Sequence, residues 1–240
     1  MLENLLFCAV CCCFATAVQT ISGFGFGILV MATLPHLIPS TLTCTAMIGL
    51  TSVVNSCAIA WKYRKKLNWK AIVFPLLAYF PMSFLAISFA GQAGEGILRK
   101  ILGVCLILLG LYFLFAQNRL KVKGNAVNGL IAGGTAGILS GLFNTGGPPM
   151  VVYLKGVSED NEEYIGTIQI FFVMSNFYNS VVRAAKGLIT KEVLMLTAVA
   201  IAASLGGVLI GRRLLGKIGE NQQNLVIYLL MIFSGVMLLF

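Results

Sequence analysis

Charge is what this chain has least of: 10% of its 240 residues are Asp, Glu, Lys or Arg, against roughly 25% in a soluble domain. A globule so poor in charge cannot present a water-facing surface. Histidine is nearly absent too, since His36 stands alone, and the acids number eight. There is no long polar stretch to house a soluble domain. What fills the space is apolar, 58% of the chain with a mean hydropathy of +0.92. A helix needs about 20 apolar residues to cross about 30 Å of hydrocarbon, and several such runs are present. Disorder, collagen, coiled coil and a disulfide scaffold are excluded together.

The seven cysteines, Cys8, Cys11, Cys12, Cys13, Cys44, Cys57 and Cys105, all lie in apolar runs and read as small hydrophobes. Cys8, Cys11 and Cys12 share a helical face, but with no acid or histidine beside them neither a metal site nor a cofactor is expected. The formal charge of +9 would suggest nucleic acid in a soluble protein. Here the bases sit in short loops and report membrane orientation, so no nucleic-acid partner is expected. The segment before the first run, Met1 to Asn4, is not basic, and a cleavable leader is not expected.

Apolar runs fall near 5–34, 42–61, 71–90, 97–116, 126–154, 165–185, 192–211 and 223–240. The runs 5–34 and 126–154 are too long for one crossing and too short for two, and small residues interrupt both. Ser22-Gly23 recurs as Ser140-Gly141. Asn55-Ser56, Ala60 and Lys62 recur as Asn179-Ser180, Ala184 and Lys186, the spacing growing by an acidic loop, Ser158 to Glu163. The fold class expected is an all-α polytopic membrane protein of two four-segment repeats, 1–118 and 119–240, inverted, each beginning with a broken or re-entrant helix.

Two topologies compete. Single crossings by the broken runs give eight spans with both ends inside. Re-entrant hairpins give three crossings per repeat, inverted repeats and both ends outside. Loop charge favours neither, because Lys62, Arg64, Lys65, Lys66 and Lys70 are cytoplasmic in both. Pro148-Pro149 and the glycines at 23–27 and 146–147 favour hairpins, since broken backbone in lipid must line a protein-walled cavity.

A half-helix starting at such a break aims unpaired amides and its positive dipole end at the bilayer centre. The stretches Gln19 to Gly27 and Ser140 to Pro149 are therefore expected to face each other as an anion site. The residues assigned to it are Thr20, Ser22, Gly23, Gly25, Gly27, Ser140, Gly141, Asn144, Thr145, Gly146 and Gly147, together with Asn55 and Asn179. The last two either lock the broken segments or touch substrate. Thr51, Ser52, Gln169, Ser175 and Asn176 are further polar residues within spans. Gly133 and Gly137 read as close helix packing. Arg183 is expected to snorkel to the interface, and Phe171, Phe172 and Phe177 to face lipid or packed helices.

The duplicated layout, the S-G-F-G-F-G and S-G-L-F-N-T-G-G-P-P breaks, and the Asn55-to-Lys62 and Asn179-to-Lys186 ends resemble the TauE/SafE family of sulfite exporters over essentially the whole chain. The resemblance implies a multi-pass transporter of the cell (inner) membrane for small sulfur-containing or organic anions such as sulfite, thiosulfate or sulfonates. Asn144-Thr145 and Pro148-Pro149 depart from the more glycine-rich family pattern.

No acid falls within the core of a span, so a carboxylate proton relay is not expected. The membrane potential alone contributes about 2.3 kcal/mol per charge per 100 mV to an anion leaving the cell. Passive or weakly coupled export follows, gated by one repeat moving against the other. The partners expected are a small anion and the lipid bilayer, with a homo-oligomer left open. The rivals are a thiol-dependent membrane enzyme built on Cys8 to Cys13, and an assembly subunit of a membrane complex.

Overall fold

A computed structural model describes residues 2–115, 123–213 and 220–239, with side chains at 5–20, 23–115, 123–209 and 228–239. The expected boundary between 118 and 119 lies outside the described residues. All regular structure among them is helical: α1 Leu2–Ser22, α2 Phe26–Thr33, α3 Thr41–Lys62, α4 Trp69–Gln92, α5 Glu95–Phe115, α6 Ala126–Phe143, α7 Gly147–Val157, α8 Asn161–Ala185, α9 Lys191–Arg213 and α10 Glu220–Met237. A short 3-10 turn, Leu34–His36, follows α2. Six helices are long and apolar enough to cross a bilayer, namely α3, α4, α5, α6, α8 and α9. The acids sit at their ends, as Glu95 opens α5, Glu162 and Glu163 open α8, and Glu192 opens α9, where the helix dipole favours negative charge.

Both long runs break where glycine and proline predict. The first becomes 21 residues of α1 and 8 of α2, the second 18 of α6 and 11 of α7. In each pair the short helix runs back along the long one. Thr33, ending α2, reaches Cys11 of α1. Tyr153 lies beside Gly129, and Val157 against Gly124, just before α6.

Polar contacts gather the chain into two ends. At one, Ser40 Oγ and Thr41 N–H donate to the Glu95 carboxylate at 3.1 and 2.9 Å. Arg99 donates there to the carbonyls of Pro35 and Pro39, and Ser234 to that of Ala32. At the other, Lys66 pairs with Asp160 at 2.7 Å and Glu162 at 3.4 Å, and Asn68 Nδ2 donates to Glu163 at 2.8 Å.

The closest helix pairs cross the two halves of the sequence: α6 lies on α4, α1 on α9, α3 on α8 and α5 on α10. The α6–α4 seam is built on absent side chains. Gly133 abuts the Pro75 backbone, Gly137 that of Tyr79, and Gly141 that of Ser83 together with the Ala86 methyl. A side chain at any of them would force the helices apart.

Candidate functional site

Glycine sets the first break. Gly25 caps α2 at φ 107°, a backbone that side chains disfavour, and among the described residues no side chain caps the first turn. The amides of Phe26, Gly27 and Ile28 are thus first-turn donors that a helix cannot satisfy internally. Leu29 N–H is the first to find a carbonyl, that of Gly25 at 3.0 Å.

Asn144 sets the second. It takes the left-handed backbone at φ 57° and closes α6, its N–H donating to the Ser140 carbonyl at 2.9 Å. Then α7 opens with Gly147, Pro148 and Pro149, and proline carries no N–H. Only the Gly147 amide remains in that first turn, because the Gly146 amide before it donates to Ser140 Oγ at 3.2 Å. The two breaks are therefore unequal amide donors.

The breaks touch. At Gly27 there is no room for a Cβ against the Asn144 carbonyl oxygen. Beside this contact lies a cavity of about 40 Å³, lined by Gln19, Gly25, Phe26, Gly27, Ile28, Ser52, Ser56, Ser140, Asn144, Thr145, Gly146, Gly147, Phe172 and Asn176. Ser52 and Ser56 lie midway along α3, and Phe172 and Asn176 midway along α8. At about 10–15 Å³ per water, the space suits one small ion. None of these side chains is charged. Gln19 Oε1 and Ser56 Oγ are buried there without a hydrogen-bond partner. Buried polar atoms are seldom left so, and a polar ligand or water is the ordinary completion. A wider cavity of about 370 Å³ beside Pro148 and Pro149 is walled mostly by apolar groups such as Leu109, Ile131 and Val152, a poor lining for an anion.

Of the residues assigned from sequence, Gly25, Gly27, Ser140, Asn144, Thr145, Gly146 and Gly147 line this cavity. Others lie elsewhere. The Gly23 carbonyl accepts from Gln169 Nε2 at 2.6 Å, and Gly141 belongs to the α6–α4 seam. Thr20 donates to the Thr16 carbonyl and borders, with Asn55, a separate cavity of about 300 Å³ between α1, α3 and α9. Asn55 Nδ2 donates to Thr16 Oγ1 at 3.4 Å and Ser204 Oγ at 3.3 Å, tying α3 to α1 and α9. Asn179 accepts from Ser83 Oγ at 2.6 Å and donates to the Tyr79 hydroxyl at 2.8 Å, tying α8 to α4. The side chain of Ser22 lies outside those described.

Gln19, Ser52, Ser56, Phe172 and Asn176 were absent from the assigned set. Their signal was spacing, since Ser52 with Ser56 and Phe172 with Asn176 are four apart and share a helix face. Phe172 thus faces the cavity, while Phe171 packs edge-on against Tyr79 and Phe177 is exposed.

Arg183 corrects another expectation. It does not snorkel: it is 2% exposed, and its Nη2 donates to the carbonyls of Ser140 and Gly141 at 3.1 and 3.0 Å. Those carbonyls end α6 in the protein interior, and a guanidinium fork satisfies both while meeting the negative end of the dipole. Its Nη1 stands 3.5 Å from Asn144 Oδ1, and Asn144 Nδ2 donates to Asn176 Oδ1 at 2.9 Å. The cysteines are all free thiols, Cys8 and Cys12 lying 3.9 Å apart, and among the described residues no group of side chains could hold a metal.

Comparison with known proteins identifies the family. The family model described as sulfite exporter TauE/SafE matches residues 8–238. A protein of Cupriavidus necator strain H16, described as a probable sulfite/organosulfonate exporter TauE, is 24% identical over 203 residues, covering 82% of this chain and 79% of that relative. No solved structure matches. With helices of spanning length and a family match running almost end to end, the chain is a multi-pass membrane protein and belongs to the TauE/SafE sulfite exporter family, whose members are transporters and not enzymes.

Proposed function

We propose that this chain exports small sulfur–oxygen anions, sulfite-like ions and short sulfonates, through the cavity where the two breaks meet. One observation carries the reading. An uncharged polar cavity at the midpoint of α3 and α8, bordered by the free first turn of α2, holds buried polar atoms that lack partners. Amide and hydroxyl donors bind an oxyanion without a fixed charge on the cavity wall, and such donors at a helix start are a ready anion site. The name of the Cupriavidus relative points to the same chemistry.

The repeats are inverted in this reading, with α1–α2 and α6–α7 entering from opposite faces as re-entrant hairpins. Three features support it. Each short helix doubles back along its partner, the polar contacts sort the loops into two ends, and the paired contacts are related by exchange of the halves. Asn55 bonds Ser204 of α9 as Asn179 bonds Ser83 of α4. The end holding Lys62 to Lys70 and Lys155 is then cytoplasmic. Export of a monoanion runs down the membrane potential without a coupling ion, at about 2.3 kcal/mol per charge per 100 mV.

The test is sulfite flux from liposomes containing the purified protein, under an imposed potential. Flux should rise with an inside-negative potential, and Ser56→Ala should lower it about tenfold while leaving the melting temperature in place. Flux that ignores both the potential and Ser56→Ala would move the pathway elsewhere.

A further inference from the structure

Among the described residues, Arg183 is a buried cation with no carboxylate to balance it. Among the described residues, ion pairs form only between Lys66 and its acids Asp160 and Glu162, at one end of the bundle. The neutral partners of Arg183 are two backbone carbonyls and the Asn144 amide oxygen. Guanidinium stays protonated in proteins, so this charge is permanent. Carbonyl dipoles at a helix end are worth about half an elementary charge and offset it only in part. An uncompensated ion in a low-dielectric interior is costly unless something pairs with it.

The cavity is one residue away. Asn144 lines it and touches Arg183, and Asn176, which Asn144 bonds, lines it as well. On the other side, Arg183 Nη1 and Ser180 Oγ both lie against Gly49, and Ser180 Oγ is buried without a partner. The charge has no twin, because the match of Asn55 with Asn179 sets Ile59 opposite Arg183. The cavity lining itself carries no charge, so the nearby field is that of one cation.

We infer that Arg183 sets the charge of the transported species: the cavity takes one negative charge, so the substrate moves as a monoanion, a hydrogensulfite or a sulfonate, in preference to a dianion. The inference rests on the cavity being the transport site. One negative charge beside Arg183 leaves the protein interior neutral. A dianion leaves an excess charge in hydrocarbon, and a neutral molecule leaves the guanidinium uncompensated. Arg183 acts through Asn144 and is a positioning residue for charge, not a direct contact.

The experiment compares three tetrahedral sulfur compounds of like size: dimethyl sulfone, which is neutral, methanesulfonate, a monoanion, and sulfate, a dianion. Each competes against sulfite efflux from liposomes containing the full chain, at one fixed pH so that Tyr79, the titratable neighbour on α4, does not change state. Wild-type protein should be inhibited about tenfold more strongly by methanesulfonate than by either of the others. Arg183→Gln should bring the three within about threefold, and Arg183→Lys should keep their order. Sulfate matching methanesulfonate in the wild type, no competition by methanesulfonate, or undiminished discrimination in Arg183→Gln would each overturn the inference. If Arg183→Gln does not fold, the wild-type series can still overturn the inference, and Arg183→Lys still reads whether a cation at this position keeps the order. Absence of sulfite efflux in the wild type defeats the transport reading itself, and the charge rule with it.

Discussion

Replacing Gly27 by alanine adds one methyl group where the two breaks touch. The new Cβ would collide with the carbonyl oxygen of Asn144, a backbone atom that cannot rotate aside, and would also meet Ile48 Cγ2 at 3.5 Å. Overpacking of this kind costs about 1–3 kcal/mol. Alanine regains up to about 1 kcal/mol of helix propensity over glycine, which leaves a net cost of about 0–2 kcal/mol, toward its upper end here because the atom met is backbone. The strain falls on the separation of α2 from the end of α6, the spacing that shapes the cavity. At about 1.4 kcal/mol per factor of ten, sulfite flux should fall roughly tenfold. Gly91→Ala is the control: it lies inside α4 with nothing within 4 Å of a Cβ, so the same substitution should be neutral or stabilising. Flux from liposomes and thermal unfolding in detergent read both proteins. Indistinguishable melting and flux in Gly27→Ala and Gly91→Ala would refute the claim that the breaks meet at a functional spacing.

Asn179→Ala should lower the melting temperature, because it leaves the buried Ser83 hydroxyl without its Asn179 partner, at about 1–3 kcal/mol for a group left unsatisfied, and removes one bond from the Tyr79 hydroxyl. A folded variant should keep its anion preference, and a changed preference would instead bring Asn179 to the substrate. At the loop end, the Lys66 ammonium holds the Asp160 carboxyl below its usual range. Its contribution is therefore present above the ordinary carboxylate pKa and is lost as pH falls through the lowered folded value. The difference in melting temperature between wild type and Lys66→Gln should be small at neutral pH and should vanish on acidification; a difference that persists in acid contradicts this.

The breaks were legible because glycine and proline act on their own backbone: Gly25 takes a positive φ, and a proline pair fits best in a helix's first turn, whereas the single prolines Pro75 and Pro81 are carried inside α4. The facing of polar side chains was less so. Asn55 is the costliest polar group on α3, and cost drew attention to it, yet Ser52 and Ser56 face the cavity while Asn55, one residue from Ser56, points toward α1 and α9. A step of one residue turns a side chain by about 100° around the helix, and only the packed structure fixes the zero of that rotation. Arg183 was misread for a related reason. Near a helix end snorkelling is the cheap solution, and no residue pattern signals that the terminal carbonyls of α6 lie within its reach. The loss of two amides at Pro148-Pro149, by contrast, needed only the chemistry of proline.

The seam of α6 against α4, like the contact of α1 with α9, joins the first half of the chain to the second. Backbone meets backbone along the α6–α4 seam at Gly133, Gly137 and Gly141, too close for a side chain to enter at those points. Opening the protein by swinging one half away from the other would have to tear both seams at once. Any rigid body built on these seams therefore combines helices from both halves of the sequence, and neither half alone would close its own grooves.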